Sequence, residues 1–165
     1  MHMKKLLITL WMILTLSTMA WAGVPNNQLR SLVSSFKGTD GFEIVDIGGL
    51  GLRLLKGAAR SAAETKEDRE ALKLFDGLKR LTIVQFSDAA AGDRDRFLSK
   101  ARKILAGGEM LMEAKDGDET VRIYGNTSAD GTLLQDISIL AGDALIFIRG
   151  SIRTDQVDAL IKQAN

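Results

Sequence analysis

Carboxylates and one run of glycines are the groups in this sequence whose spacing could do chemistry. Asp93 and Asp95 stand two apart, Asp116, Asp118 and Glu119 cluster, and Asp130 follows at the next turn signal. Two carboxylates facing each other across a cleft can work as acid and base on a glycosidic bond. Converging carboxylate oxygens can hold calcium. Neither pattern is complete. Asp93 and Asp95 suit the positive end of a helix, and Gly117 breaks the calcium-loop spacing and marks a hairpin turn. Gly48-Gly49-Leu50-Gly51 lies between a strand pattern and a helix pattern, as a phosphate loop does. Yet no G-x-G-x-x-G is present and no Lys-Ser or Lys-Thr follows, so the glycines read as a tight turn with close packing. No metal site and no cofactor is expected.

The leader sharpens that reading. Lys4 and Lys5 precede an apolar run, Leu6 to Leu16, and Ala20-Trp21-Ala22 forms a small-x-small cleavage site before Gly23. These are the three parts of a secretory signal in order. Residues 1–22 are expected to be removed, and residues 23–165 to form one domain. The only His is His2 and both Trp, Trp11 and Trp21, lie in the leader, while Cys is absent altogether. The remaining chain would have no imidazole or thiol for nucleophilic catalysis or for the usual zinc, haem and iron–sulfur sites. Lys plus Arg total 22 against 21 Asp plus Glu. Losing Lys4 and Lys5 leaves 20 against 21, a balance of about −1, too little positive charge for nucleic acid. The product is expected to be exported, periplasmic or secreted, soluble after cleavage near Ala22–Gly23 and without a stable membrane anchor.

The elements that must position these residues follow from periodicity. Leu29, Leu32, Val33 and Phe36 recur at helical steps. Residues 42–47 alternate as a strand, and 52–63 form an amphipathic helix whose apolar stripe, Leu54, Leu55, Ala58, Ala59 and Ala62, is expected to pack. Arg53, Lys56 and Arg60 flank it as a solvated basic face, a pattern that can also meet anionic lipid. Mixed charges at 64–70 lead into a further helical stretch. Residues 80–86 form a strand rich in β-branched side chains, and 93–105 form a helix. Four strands follow, at 109–114, 119–124, 132–140 and 144–149, the last ended by Gly150. A final helix from Thr154 or Asp155 would bury Val157, Leu160 and Ile161. The fold class is therefore α+β: a single domain with an antiparallel or mixed sheet, a C-terminal four-strand meander, and helices packed mainly on one face. Leu111, Arg122, Tyr124 and Leu134 are expected to share the face away from the helices and form an interaction patch.

Several segments resemble one family. They are Phe75-Asp76-Gly77-Leu78-Lys79-Arg80-Leu81-Thr82-Ile83-Val84, Asp118 to Tyr124, Asp130 to Leu140, and Leu145 to Ile152. Together they resemble domain of unknown function 4252, whose members are exported proteins of Gram-negative bacteria, many with a signal or lipoprotein leader. The resemblance implies export and no particular catalytic residue. Lipoprotein members carry a leader Cys, which this chain lacks. The leading functional expectation is a non-enzymatic accessory or interaction module of the envelope, with another envelope protein as partner. The alternative is a small-ligand module with an apolar pocket between helices and sheet. A carboxylate hydrolase ranks third.

Overall fold

Helix α1 (Asn26–Phe36) opens the fold. The structure is a computed structural model that describes residues 26–156. Residues 1–22, expected to be an export signal, the expected cleavage site, and Val157, Leu160 and Ile161 lie outside the described residues. The order continues β1 (Glu43–Ile47), α2 (Gly49–Ala62), α3 (Lys66–Lys73), a 3-10 turn (Leu74–Gly77), β2 (Leu78–Gln85) and α4 (Ala91–Leu105). Then come β3 (Glu109–Asp116), β4 (Glu119–Thr127), β5 (Leu133–Ala141) and β6 (Ala144–Arg153). This is an α+β chain with a six-stranded sheet in the order β1-β2-β6-β5-β4-β3. Every neighbouring pair is antiparallel. The four-strand meander is present, and β2 extends it by pairing with β6.

The core lies between one sheet face and two helices. Helix α1 supplies Leu29, Leu32, Val33 and Phe36, spaced as an apolar stripe must be. Helix α4 supplies Phe97, Ala101 and Leu105. Both press on Val84, Leu145, Phe147, Leu140 and Tyr124 of the sheet. Phe36, Phe42, Phe86 and Phe97 meet with ring centroids 5.0–6.0 Å apart, in tilted, edge-on and stacked arrangements that suit the aromatic quadrupole.

Strands β3, β4 and β6 run past the ends their sequence pattern predicts. Gly150 does not end β6; the strand bends there and continues to Arg153. Gly150 takes φ 127, and a Cβ on it would run into the Gly77 carbonyl oxygen. Glycine lets the chain pass through this corner where another residue would stop it. The Asp136 carboxylate accepts the Gly150 N–H at 3.3 Å, which closes the bend.

Helix α3 begins on a reciprocal cap. Thr65 Oγ1 accepts the Asp68 N–H at 3.1 Å, and Asp68 Oδ2 accepts the Thr65 N–H at 3.2 Å. Two donors that a helix start leaves orphaned are thereby satisfied. The bonds from Thr65, backbone first, hold the Asp68 carboxyl below its usual pKa.

Candidate functional site

The two faces of the sheet differ in what covers them. Register sorts the side chains into rows, and the core packed under α1 and α4 identifies the helix face. On the helix face, Ile44, Val84, Leu145, Leu140, Arg122 and Glu113 stand side by side across all six strands. On the outer face the matching row is Val45, Ile83, Ile146, Ile139, Ile123 and Met112. All six members of this row are apolar. A second outer row, Ile47, Leu81, Ile148 and Ile137, runs beside it. At roughly 4.8 Å per strand the six-membered row spans about 24 Å. Its end members, Val45 and Met112, are exposed, and its four isoleucines are half-buried. Helix α2 meets this face at Ile47, whose Cγ2 lies 2.9 Å from where a Gly51 side chain would begin. That contact accounts for Gly51 alone: Gly48 caps α2, and Gly49 and Gly51 stand in its first turn instead of forming the separate turn expected from the sequence.

A groove of about 460 Å³ lies on the other face, where α4 stops covering the sheet. Leu98 and Arg102 of α4 form one wall; Thr120, Arg122, Tyr124 and Leu140 form the floor, with Asp118, Glu119 and Gly142 at the rim. Arg122 is paired with Glu113 at 3.5 Å. The groove has the volume of a small-ligand site. Its lining mixes both signs of charge with a few apolar groups, unlike the apolar pocket expected between helices and sheet.

The family model described as Domain of unknown function (DUF4252) matches residues 36–160, well over half of the chain. The chain belongs to this family. No curated protein and no solved structure matches it. The DUF4252 match runs from the end of α1 past the end of β6, so it takes in both sheet faces and the groove.

The predicted interaction patch does not assemble. Tyr124 is only 8% exposed and sits in the core under the helices. Arg122 shares that helix face, two residues along β4. Leu111 lies on the outer face, with its Cδ1 3.0 Å from where a Gly125 side chain would begin and Ile137 next to it. A bulge between Met110 and Met112 resets the alternation of β3, and one extra residue moves everything beyond it to the other face. Leu134 pairs with Thr127 and Ile152, beyond further register shifts in β4 and β5. Of the four predicted residues Leu111 joins the outer face, beside the row Val45, Ile83, Ile146, Ile139, Ile123 and Met112.

The carboxylates separate as well. Asp93 pairs with Arg96 at 2.8 Å at the start of α4, and Asp95 is exposed beside it. Asp118 and Glu119 line the groove about two helical turns further along α4, beside Arg102. The side chain of Asp116 lies outside the described set. Asp130 accepts bonds from Ser128 and Thr132 and organises its own turn. Among the described residues no three His, Cys, Asp or Glu side chains converge as a metal site. No described helix is long and apolar enough to cross a membrane.

Proposed function

We propose that this chain is a non-enzymatic interaction module of the cell envelope, and that the outer face of its sheet is the surface that receives a partner protein. One observation carries the reading: the unbroken apolar row Val45–Ile83–Ile146–Ile139–Ile123–Met112 across all six strands, opposite the two core helices. An apolar patch of several hundred Å² is on the order of what marks an interaction site in a soluble domain. Sheet faces of this kind pack about 10 Å from a partner layer. The leader at residues 1–22 supports placing the partner in the envelope.

The test uses the chain expressed with its own leader in its native host, lightly cross-linked and recovered by a tag. A Val45→Lys/Met112→Lys variant charges both ends of the row at exposed positions, and circular dichroism checks its fold. The reading expects one dominant envelope protein with the unaltered chain and its loss with the variant. Equal recovery with both overturns it.

The groove favours a second reading, a site for a small ligand carrying both signs of charge, held between Arg102 and the Asp118–Glu119 rim. Binding of such a compound to the purified chain, lost in Arg102→Ala, would move the assignment there.

A further inference from the structure

Helix α2 turns its apolar side outward. Leu52 is buried, and Lys56 and Ala59 are half-buried, which marks the side facing the domain. At 100° per residue, Leu50, Leu54, Ala58, Ala62 and Leu55 fall on one arc of about 140° that runs from opposite Leu52 round to its flank at Leu55. Leu50 is 74% exposed, Leu54 68% and Leu55 51%. Of the stripe expected to pack, Ala59 does turn toward the domain, whereas Leu54, Leu55, Ala58 and Ala62 are exposed. Ser61 is the one polar side chain on the arc, and its hydroxyl donates to the Gly57 carbonyl at 3.1 Å within the helix. No charged residue interrupts the arc.

The charges that α2 itself carries are all positive. Arg53 and Arg60 border one margin, and α2 contains no acidic residue. Arg60 reaches Asp76 at 2.9 Å across an exposed contact that solvent screens, and the half-buried Lys56 stands 3.9 Å from the same carboxylate. Arg53 has no carboxylate partner among the described residues. Two copies meeting through this arc would bring like charges together at its margin, so the basic border argues against self-pairing. An anionic surface is the complement.

We propose that α2 is an interfacial helix: it lays Leu50, Leu54 and Leu55 into the surface of a bilayer containing anionic lipid, with Arg53 and Arg60 at headgroup level. A strong apolar face, a basic border and modest overall hydrophobicity are the signature of a helix that lies in the interface plane instead of spanning it. Binding is reversible, because few apolar groups enter the bilayer, and salt weakens it. The outer sheet face is a separate surface with its own test, so either assignment can fail alone.

The experiment is sedimentation of the processed, exported chain with vesicles of equal parts phosphatidylglycerol and phosphatidylcholine, beside vesicles of phosphatidylcholine alone. The expected result is sedimentation with the anionic vesicles, weaker at high salt and several-fold weaker on the neutral ones. Leu50→Ser/Leu54→Ser should cut binding about tenfold with an unchanged circular dichroism spectrum. Arg53→Gln/Arg60→Gln should remove the preference for anionic lipid. The proposal is overturned by absence of binding, by equal binding of Leu50→Ser/Leu54→Ser, or by a soluble dimer that this variant converts to monomer.

Discussion

Asp130 carries the strongest electrostatic signature at the residue scale. Its carboxylate accepts bonds from Ser128 Oγ at 2.6 Å, Thr132 Oγ1 at 2.8 Å and the Thr132 N–H at 3.1 Å. These bonds, that from Ser128 foremost, pull its pKa down to about 2. A carboxyl whose folded pKa is depressed adds stability above its unfolded value, about 4. That contribution is lost as pH falls through about 2. Carboxyl-carbon NMR should show an Asp130 midpoint near 2, moving up in Ser128→Ala; a midpoint near 4 in the unaltered chain would contradict the turn geometry. Gly150 supplies a second residue-scale prediction. Gly150→Ala should cost about 1–3 kcal/mol by denaturant unfolding, because it meets both a left-handed φ and the Gly77 carbonyl. Gly117→Ala, at φ 60 with open space around it, should cost less. Equal costs would show that the close approach at Gly150 contributes nothing.

At the scale of elements, most of the secondary structure was legible and the faces were not. Helical spacing in α1 and α4 identified Leu29, Leu32, Phe36, Phe97 and Leu105, and the structure buries them all. The strands of the meander were legible from β-branched runs broken at Asp-Gly and Ala-Gly-Asp turns. What alternation cannot decide is which of two apolar faces receives the helices. In β4, Val121 and Ile123 are as apolar as a core face requires, yet they face outward while Tyr124 goes under α4. The helix face is the one holding Phe147, Leu145 and Val84, together with the aromatic group around Phe86. That grouping is tertiary and leaves no local signal. The bulges in β3 and at Gly150 are equally silent, since each changes parity without changing composition. The stripe of α2 was legible as a stripe, but its outward direction was not. A further prediction belongs at this scale. Thr65→Ala removes the reciprocal cap of α3 and should cost about 1 kcal/mol of local stability. Hydrogen exchange should rise at the amides of Glu67 to Arg69 and leave β5 and β6 unchanged; unchanged exchange in α3 would contradict the capping geometry.

The whole molecule presents a filled face and an outer apolar face. Helices α1 and α4 close the first over an aromatic core, and the groove beside Arg102 marks the limit of their cover. The second presents a row of apolar side chains from β1 to β3. Burial of such a row releases water from apolar area, a driving force that grows with the area covered. The sheet under it is held by five antiparallel ladders, a rigid platform with little ordering cost on binding. The measurement that tests this account most directly is site-resolved photo-cross-linking in the native host, with a photoreactive residue placed at Val45, Met112 or Ile123, and at Ser99 or Lys103 on the exposed side of α4. The account predicts one discrete protein adduct shared by the three sheet positions and none from α4. Adducts only from α4, or none from the sheet positions, would contradict it.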